Sequence, residues 1–221
     1  CSMKIVRFSV DRKVSYGILD GKSIQAIEDK PFRHIKLTDN HYRLKEVRLL
    51  APCLPSKIVA LGLNYHSRAQ ELNSPLPNAP LIFLKPSTAV IGSEDSIIYP
   101  SSSDRIDYEG ELAVIIGKTA KHVTPERALD YVAGDANAND VSARDLQFRT
   151  KQYASGKMPD TFCPLGPALV TRDEIANPND LNLTTTLNGE VMQQANTGAM
   201  IFDVAALISA IAEFATLHPG D

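Results

Sequence analysis

The sequence predicts an α+β fold that is mainly β, opening with a small β-rich N-terminal domain, and three observations predict it. KIVRFSV and VSYGILDGKSIQAI alternate apolar and polar residues as half-buried strands do, with Asp20-Gly21 as a hairpin turn signal. LNLTTTLNGEVMQQA places strand-forming flanks around Asn188-Gly189, the preferred two-residue turn. Helical signals are few, and the strongest lies in the apolar stretch AMIFDVAALISAIAEFATL near the end.

Taken in order, the first strands form a domain over residues 3–55, and Pro52 and Pro55 mark the linker into a main domain over residues 56–221. SKIVALGLNY reads as a strand running into a loop, and HSRAQEL as two helical turns. The proline-dense NSPLPNAPLIFLKPS is an ordered, irregular loop around a short strand, LIFL. VTPERALDYVAG is the clearest early helix, with Thr124 as cap, Pro125 at the first helical position and Gly134 at its close. The last helix starts at the cap Asp203 and ends near Leu217, burying a stripe of Val204, Leu207, Ile208, Ile211 and Phe214.

The chain has 221 residues, 43% of them hydrophobic, which is enough for a substantial core. Lys+Arg 23 against Asp+Glu 26 gives a net charge of −3, and neither sign forms a block that tracks a phosphate backbone or a lipid surface. Nucleic acid and membrane are therefore not expected as partners. The longest apolar stretch carries Asp203 and Glu213, so it reads as an amphipathic helix rather than a membrane span. Cys1, Cys53 and Cys163 are too few and too scattered for a disulfide framework or a zinc knuckle, which points to a reducing, cytoplasmic compartment. Cys1 and Ser2 read as an addition ahead of a native start at Met3, and no signal peptide is recognisable.

DYEGELAV sets Glu109 and Glu111 one residue apart in an apolar run. In a strand they share a face, with Cα atoms about 7 Å apart. Two charges held so close stay ionised only if a cation lies between them, and all-oxygen ligation suits Mg²⁺, Mn²⁺ or Ca²⁺. Alternatively both glutamates line the wet face of an edge strand. Asp140 in NANDVSARDLQ is a third carboxylate or a helix cap, and Asp145 is a surface residue or a partner for Arg144. Lys85 and Lys157 are solvated lysines or site residues; FRTKQYASGKMPDTFCPLGPAL, around Lys157, is a loop of the kind that carries chemistry. His66, near Arg68 and Glu71, outweighs His34, His41 and His122 as a candidate. There is no Gly-rich phosphate loop, CxxC, HExxH or GxSxG.

Together YGILDG, GLNY, LIFLKPSTAVIG, DYEGELAVIIGK, NDVSARDLQ, GKMPDTFCPLGP, LNGE and NTGAMIFDVAALI resemble the fumarylacetoacetate hydrolase family, in family order and over nearly the whole chain. The resemblance implies a mixed, mostly β domain curled around a metal site, a small N-terminal domain, a homodimer and a bound Mg²⁺ or Mn²⁺. It implies metal ligation by Glu109, Glu111 and Asp140, a site lysine at Lys157, and substrate contacts from Arg144, Gln147 and Lys85. Family substrates are short 2-oxo or 2-enol acids, whose 2-oxygen and carboxylate can chelate a Lewis-acidic metal. The reading this implies is a hydrolase that cleaves a C–C bond of an acylpyruvate. Its alternatives are a 2-hydroxyhepta-2,4-diene-1,7-dioate-type isomerase, an oxaloacetate decarboxylase or tautomerase, and a catalytically weakened metal-binding protein.

Two departures stand out. Hydrolase members carry a histidine three residues after the tyrosine of "NY" and a glutamate three further on, the pair that activates water. Here those places hold Arg68 and Glu71, while the histidine is His66, directly after Tyr65. Arginine is a poor base, so the expected catalytic set is His66, Glu71 and Lys157. Family members also continue after "PGD" with a strand and a "TGTP" segment, so with Asp221 as the last residue the family's C-terminal segment is expected to be missing.

Overall fold

The computed structural model describes residues 3–32, 34–150 and 152–221; Cys1 and Ser2, read above as an addition, lie outside them. The chain begins with four antiparallel strands in sequence order, β1 (Lys4–Val10), β2 (Lys13–Asp20), β3 (Ser23–Ile27) and β4 (Leu37–Arg43), and β5 (Arg48–Leu50) returns to pair with β1. Asp20 pairs with Ser23, so the second turn runs through Gly21 and Lys22, with Gly21 at φ +54°. The first turn is Asp11-Arg12, with φ of 48° and 64°. Positive φ at both central positions matches the right-handed twist of the flanking strands. Val6, Phe8, Ile24 and Ala26 bury their side chains beneath this meander.

The second part is built from β6 (Ile58–Leu61), α1 (His66–Glu71), β7 (Ile82–Lys85), β8 (Val90–Ile91), β9 (Ile106–Asp107) and β10 (Gly110–Ile116). These are followed by α2 (Pro125–Ala128), β11 (Val132–Asn139), β12 (Ser142–Ala143), α3 (Arg144–Gln147), α4 (Ala154–Lys157) and β13 (Cys163–Thr171). The hairpin of β14 (Asn182–Leu187) and β15 (Glu190–Asn196) and the helix α5 (Val204–Phe214) complete it. The mixed, mainly β fold expected from the sequence is the fold observed. One nine-stranded sheet, β10-β11-β13-β1-β2-β3-β4 with β5 and β8 beside it, runs from the N-terminal meander into the second part. β13 makes the junction, pairing with β11 on one side and β1 on the other.

Asn188 and Gly189 turn the predicted hairpin, both at positive φ. Gln193 on β15 then reaches the edge of β10, where its side-chain amide donates to the Gly110 carbonyl at 2.8 Å and accepts from the Gly110 N–H at 2.9 Å. At the other end of β10, Ile116 N–H donates to Asp221 O at 2.9 Å and Gly220 N–H donates to Ile116 O at 2.8 Å.

Two helix expectations need correction. VTPERALDYVAG yields only the single turn of α2 and a 3₁₀ turn at Leu129–Tyr131 before the chain enters β11. Gly134 closes no helix: it pairs with Thr171, and a Cβ there would lie 2.0 Å from the Val170 carbonyl, so glycine is what lets β11 approach β13. The last helix is capped by Asp203, which accepts from Ala206 N–H at 2.8 Å, but it stops at Phe214. Val204, Ile208 and Ile211 are buried against Ile116, Ala120, Val123 and Ala128, whereas Phe214 is 63% exposed and outside the stripe.

Among the described residues no helix is long and apolar enough to cross a membrane. Among the described residues, one fully buried side-chain oxygen has no hydrogen-bond partner. Asp135 on β11 is 4% exposed, its Oδ1 has no hydrogen-bond partner, and burial pushes its pKa up to about 6.

Candidate metal centre

Three loops and strand ends converge on the carboxylates. Glu109 sits just before β10 and Glu111 within it, on the same face as expected, and Asp140 follows the end of β11, the neighbouring strand. Asp140 N–H donates to Glu109 O at 2.9 Å and Glu109 N–H donates to Asn139 Oδ1 at 2.9 Å, which locks the two ligand-bearing segments together. One oxygen from each of Glu109, Glu111 and Asp140 lies within 4.8 Å of the others.

Cations answer two of the three charges. Lys157 Nζ is 2.6 Å from Glu109 Oε2 and 2.6 Å from Asp140 Oδ2. Its ammonium also lies 5.2 Å from the Phe83 ring centroid, a cation–π contact. Lys85 Nζ is 2.6 Å from Asp140 Oδ1 and donates further to the carbonyls of Val141 and Lys157. Arg144 takes the outer side of Glu109: its Nη2 is 2.7 Å from Oε1, its Nε is 2.9 Å from Asp107 Oδ2, and its Nη1 donates to Gln147 Oε1 at 2.9 Å. The pairing of β9 with β12 sets Asp107 beside Arg144. Asp145 is not that partner; it accepts from Ser103 Oγ at 2.6 Å.

Glu111 has no ion pair or hydrogen bond at its carboxylate among the described residues. Burial, with Asp140 and Glu109 next to it, pushes its carboxyl well above the usual range, against the pull of Lys157 and Lys85. The donor set therefore fits a divalent cation: three carboxylates within reach of one point, all oxygen, one of them without a counter-charge. Behind Glu111 and Asp140 opens a cavity of about 230 Å³, with Tyr65, Lys85 and Cys163 on its wall and apolar sides from β6, β10, β13 and α5. Burial and the charge of Glu111 raise the Tyr65 pKa. Cys53 and Cys163 are free, buried thiols.

The predicted site residues thus fall into two groups. Glu109, Glu111, Asp140, Lys157, Lys85, Arg144 and Gln147 come together. His66 and Glu71 do not join them. Glu71 is exposed and ion-paired to Arg68 at 2.6 Å, and His66 is exposed beside a separate surface hollow with Gln70, Asn73 and Leu76. Tyr65 and Asp107 join the site without standing out as candidates in the sequence; Tyr65 directly precedes His66, and its backbone bridge to Met200 holds it at the cavity.

A carboxylate triad with buried lysines at the edge of a mixed β-sheet is the donor set of a candidate divalent-metal centre of the all-oxygen kind. The profile described as "Fumarylacetoacetate (FAA) hydrolase C-terminal" matches residues 57–221, and one described as "Rv2993c-like, N-terminal" matches residues 3–52. The chain belongs to the fumarylacetoacetate hydrolase family. It is 48% identical over 178 residues to oxaloacetate tautomerase Fahd2a of Rattus norvegicus, a match over 80% of this chain and 57% of the relative's length. The chain thus spans little more than half of that relative. Its structure is similar to a 2-hydroxyhepta-2,4-diene-1,7-dioate isomerase from Mycobacterium marinum, with TM-score 0.90, 38% identity, and 99% of this chain and 84% of that one covered. It is also similar to a fumarylacetoacetate hydrolase from Exiguobacterium antarcticum, with TM-score 0.88, 34% identity, and 99% and 84% covered. The expectation that the family's C-terminal segment is missing is overturned, because the C-terminal profile is matched through to residue 221.

Proposed function

We propose that the chain is a divalent-metal-dependent enzyme that interconverts the enol and keto forms of a short 2-oxo acid, as a tautomerase or isomerase. The observation that carries this reading is the contrast between two positions. Lys157 spans two carboxylates of the centre, while Glu71 is engaged by Arg68 in an exposed ion pair. Hydrolysis of an acylpyruvate needs a base to activate water, whereas tautomerisation only moves a proton between the 2-oxygen and C3. The likeness to proteins named as oxaloacetate tautomerase and diene-dioate isomerase points the same way.

Glu109, Glu111 and Asp140 would hold Mg²⁺ or Mn²⁺, with Ca²⁺ also suited to the oxygen donors. The bound cation supplies Lewis-acid stabilisation of the charge on the substrate's 2-oxygen. Lys157 brings a positive charge to the same place, and the Phe83 ring against its ammonium limits water there. Arg144, braced by Asp107 and Gln147, fixes Glu109 from outside. Atoms and electrons balance without a second reactant: the enol oxygen loses a proton, C3 gains one, the double bond shifts from C2–C3 to C2–O, and no bond between heavy atoms is broken. A homodimer is the proposed assembly, and the free Cys53 and Cys163 fit a reducing compartment.

The test is ketonisation of freshly dissolved enol-oxaloacetate, followed by its ultraviolet absorbance, with Mg²⁺ and with EDTA, beside acetylpyruvate cleavage by the same preparation. The expected result is Mg²⁺-dependent ketonisation, lowered about 100-fold or more in Glu111→Gln, with little acetylpyruvate turnover. Faster acetylpyruvate cleavage than ketonisation would restore the hydrolase reading. Neither activity, with Mg²⁺ bound, would favour a metal-binding protein.

A further inference from the structure

We infer that the two buried lysines of this centre have separate roles: Lys85 is a fixed counter-charge that positions Asp140, and Lys157 is the cation that an incoming divalent ion displaces. The inference rests on the metal-binding reading above and concerns how the protein's own charges make way for the ion.

Lys85 has nothing left to give. Its ammonium carries three N–H groups and has three acceptors, Asp140 Oδ1, Val141 O and Lys157 O. Its side chain is 1% exposed and hangs from the strand β7. Moving it would strand two backbone carbonyls and a carboxylate oxygen in a buried site, which is among the costlier changes a folded protein can make.

Lys157 is held differently. The hydrogen bonds of its ammonium go to carboxylate oxygens alone, Glu109 Oε2 and Asp140 Oδ2, each at 2.6 Å. It is the one side chain among the described residues that bridges two of the three candidate ligands; Arg144 touches only Glu109 of the triad, and Lys85 only Asp140. A divalent ion bonds carboxylate oxygens at about 2.0–2.6 Å, so an ion shared by Glu109 and Asp140 competes for the ground that the ammonium holds. Two cations there repel, and the one on a flexible four-carbon stem, with no backbone acceptor to abandon, is the one that yields.

Ion loading and the release of the Lys157 ammonium are then a single event. A lysine that serves as internal counter-ion in one condition becomes, in the other, a free positive charge for the substrate. Lys85 meanwhile keeps Asp140 and the Lys157 backbone in place, as a positioning residue.

The experiment is calorimetric titration of Mn²⁺ into EDTA-stripped full chain, comparing wild type, Lys157→Met and Lys85→Met at one pH and ionic strength. Lys157→Met is expected to bind Mn²⁺ about tenfold tighter or more, and Lys85→Met about tenfold weaker or more. A uniform electrostatic effect would instead tighten both, and that result, or unchanged affinity in Lys157→Met, would overturn the inference. Because Lys85→Met risks unfolding, a second measurement uses wild type alone: ¹⁵N-lysine NMR of the ammonium signals, assigned with Lys157→Met. Added Mg²⁺ is expected to expose the Lys157 signal to rapid solvent exchange and leave the Lys85 signal protected; both remaining protected would sink the proposal. Absence of Mn²⁺ binding in every protein would remove the metal-binding reading itself, an outcome distinct from binding with unshifted affinity.

Discussion

Arg68 and Glu71 face each other across one turn of α1, Nη1 2.6 Å from Oε2, with half or more of each side chain open to solvent. An exposed i,i+3 pair of this kind contributes at most about 0.5 kcal/mol. The glutamate expected to activate water is thereby occupied at the surface. Glu71→Gln and His66→Ala are expected to change enol-oxaloacetate ketonisation by less than about threefold and the melting temperature by little. A loss of about 100-fold in either variant would return the pair to the chemistry and the hydrolase reading with it.

Asp135 makes a pH prediction. Burial raises its pKa to about 6, above the unfolded value near 3.9. The folded state therefore holds this proton more tightly than the unfolded chain. Its stabilising effect is complete below about pH 4 and is lost as pH rises through about 6. Asp135→Asn is expected to be nearly neutral at pH 4 and to stabilise by roughly 1–3 kcal/mol at pH 7.5. Urea unfolding of both proteins at the two pH values reads the difference directly.

Asp221 carries the opposite sign. Burial alone would raise its pKa, but the side chains of Lys57 and Ser56 and the N–H groups of His218 and Ser56 outweigh that and lower it. Its contribution is present above the ordinary carboxylate range and fades as pH falls through the lowered value. Asp221→Asn is expected to cost about 1–3 kcal/mol at pH 7, a deficit that shrinks as pH falls below the ordinary carboxylate range.

Gly156 tests how closely Lys157 must be held. A Cβ at this position would lie 2.5 Å from Ala143 O and 2.6 Å from Gln147 N, backbone atoms with no room to give. Gly156→Ala is expected to push α4 off α3, destabilise the fold by about 1–3 kcal/mol, and lower kcat for ketonisation more than it raises KM. Unchanged kcat with the stability loss would show that Lys157 tolerates the shift.

Much of this centre was readable from the sequence because its parts are local motifs. Glu109 and Glu111 share a strand face by parity, and Asp140 and Lys157 sit in short segments with their own family pattern. The neighbours were harder. Tyr65 reaches the cavity through its bridge to Met200, and Asp107 reaches Arg144 through the β9–β12 ladder, long-range pairings that no spacing encodes. The sequence offers Lys85 as a substrate contact and cannot report that its three ammonium hydrogens already have acceptors in Asp140, Val141 and Lys157. The misread helix at VTPERALDYVAG has a plain cause: its cap and proline signals are real and start one turn, but Gly134 answers to the backbone of β13 rather than to a helix end. Asp11-Arg12 gives no turn signal in the sequence because neither residue is the glycine that usually marks a two-residue turn.

The junction of β1 with β13 also sets a schedule for synthesis. Met3 N–H bonds Thr171 Oγ1, 168 residues away, and β1 pairs Lys4 with Val170 and Ile5 with Leu169. At about 5–20 residues per second, a ribosome delivers that partner roughly 8–34 s after the first strand. During that interval the N-terminal hairpins can assemble, yet the Lys4–Ile5 end of β1 keeps an open edge, the usual route to pairing with another chain. Slow refolding that worsens with protein concentration, and eases when the nascent edge is shielded by a chaperone, is what this long-range stitch predicts.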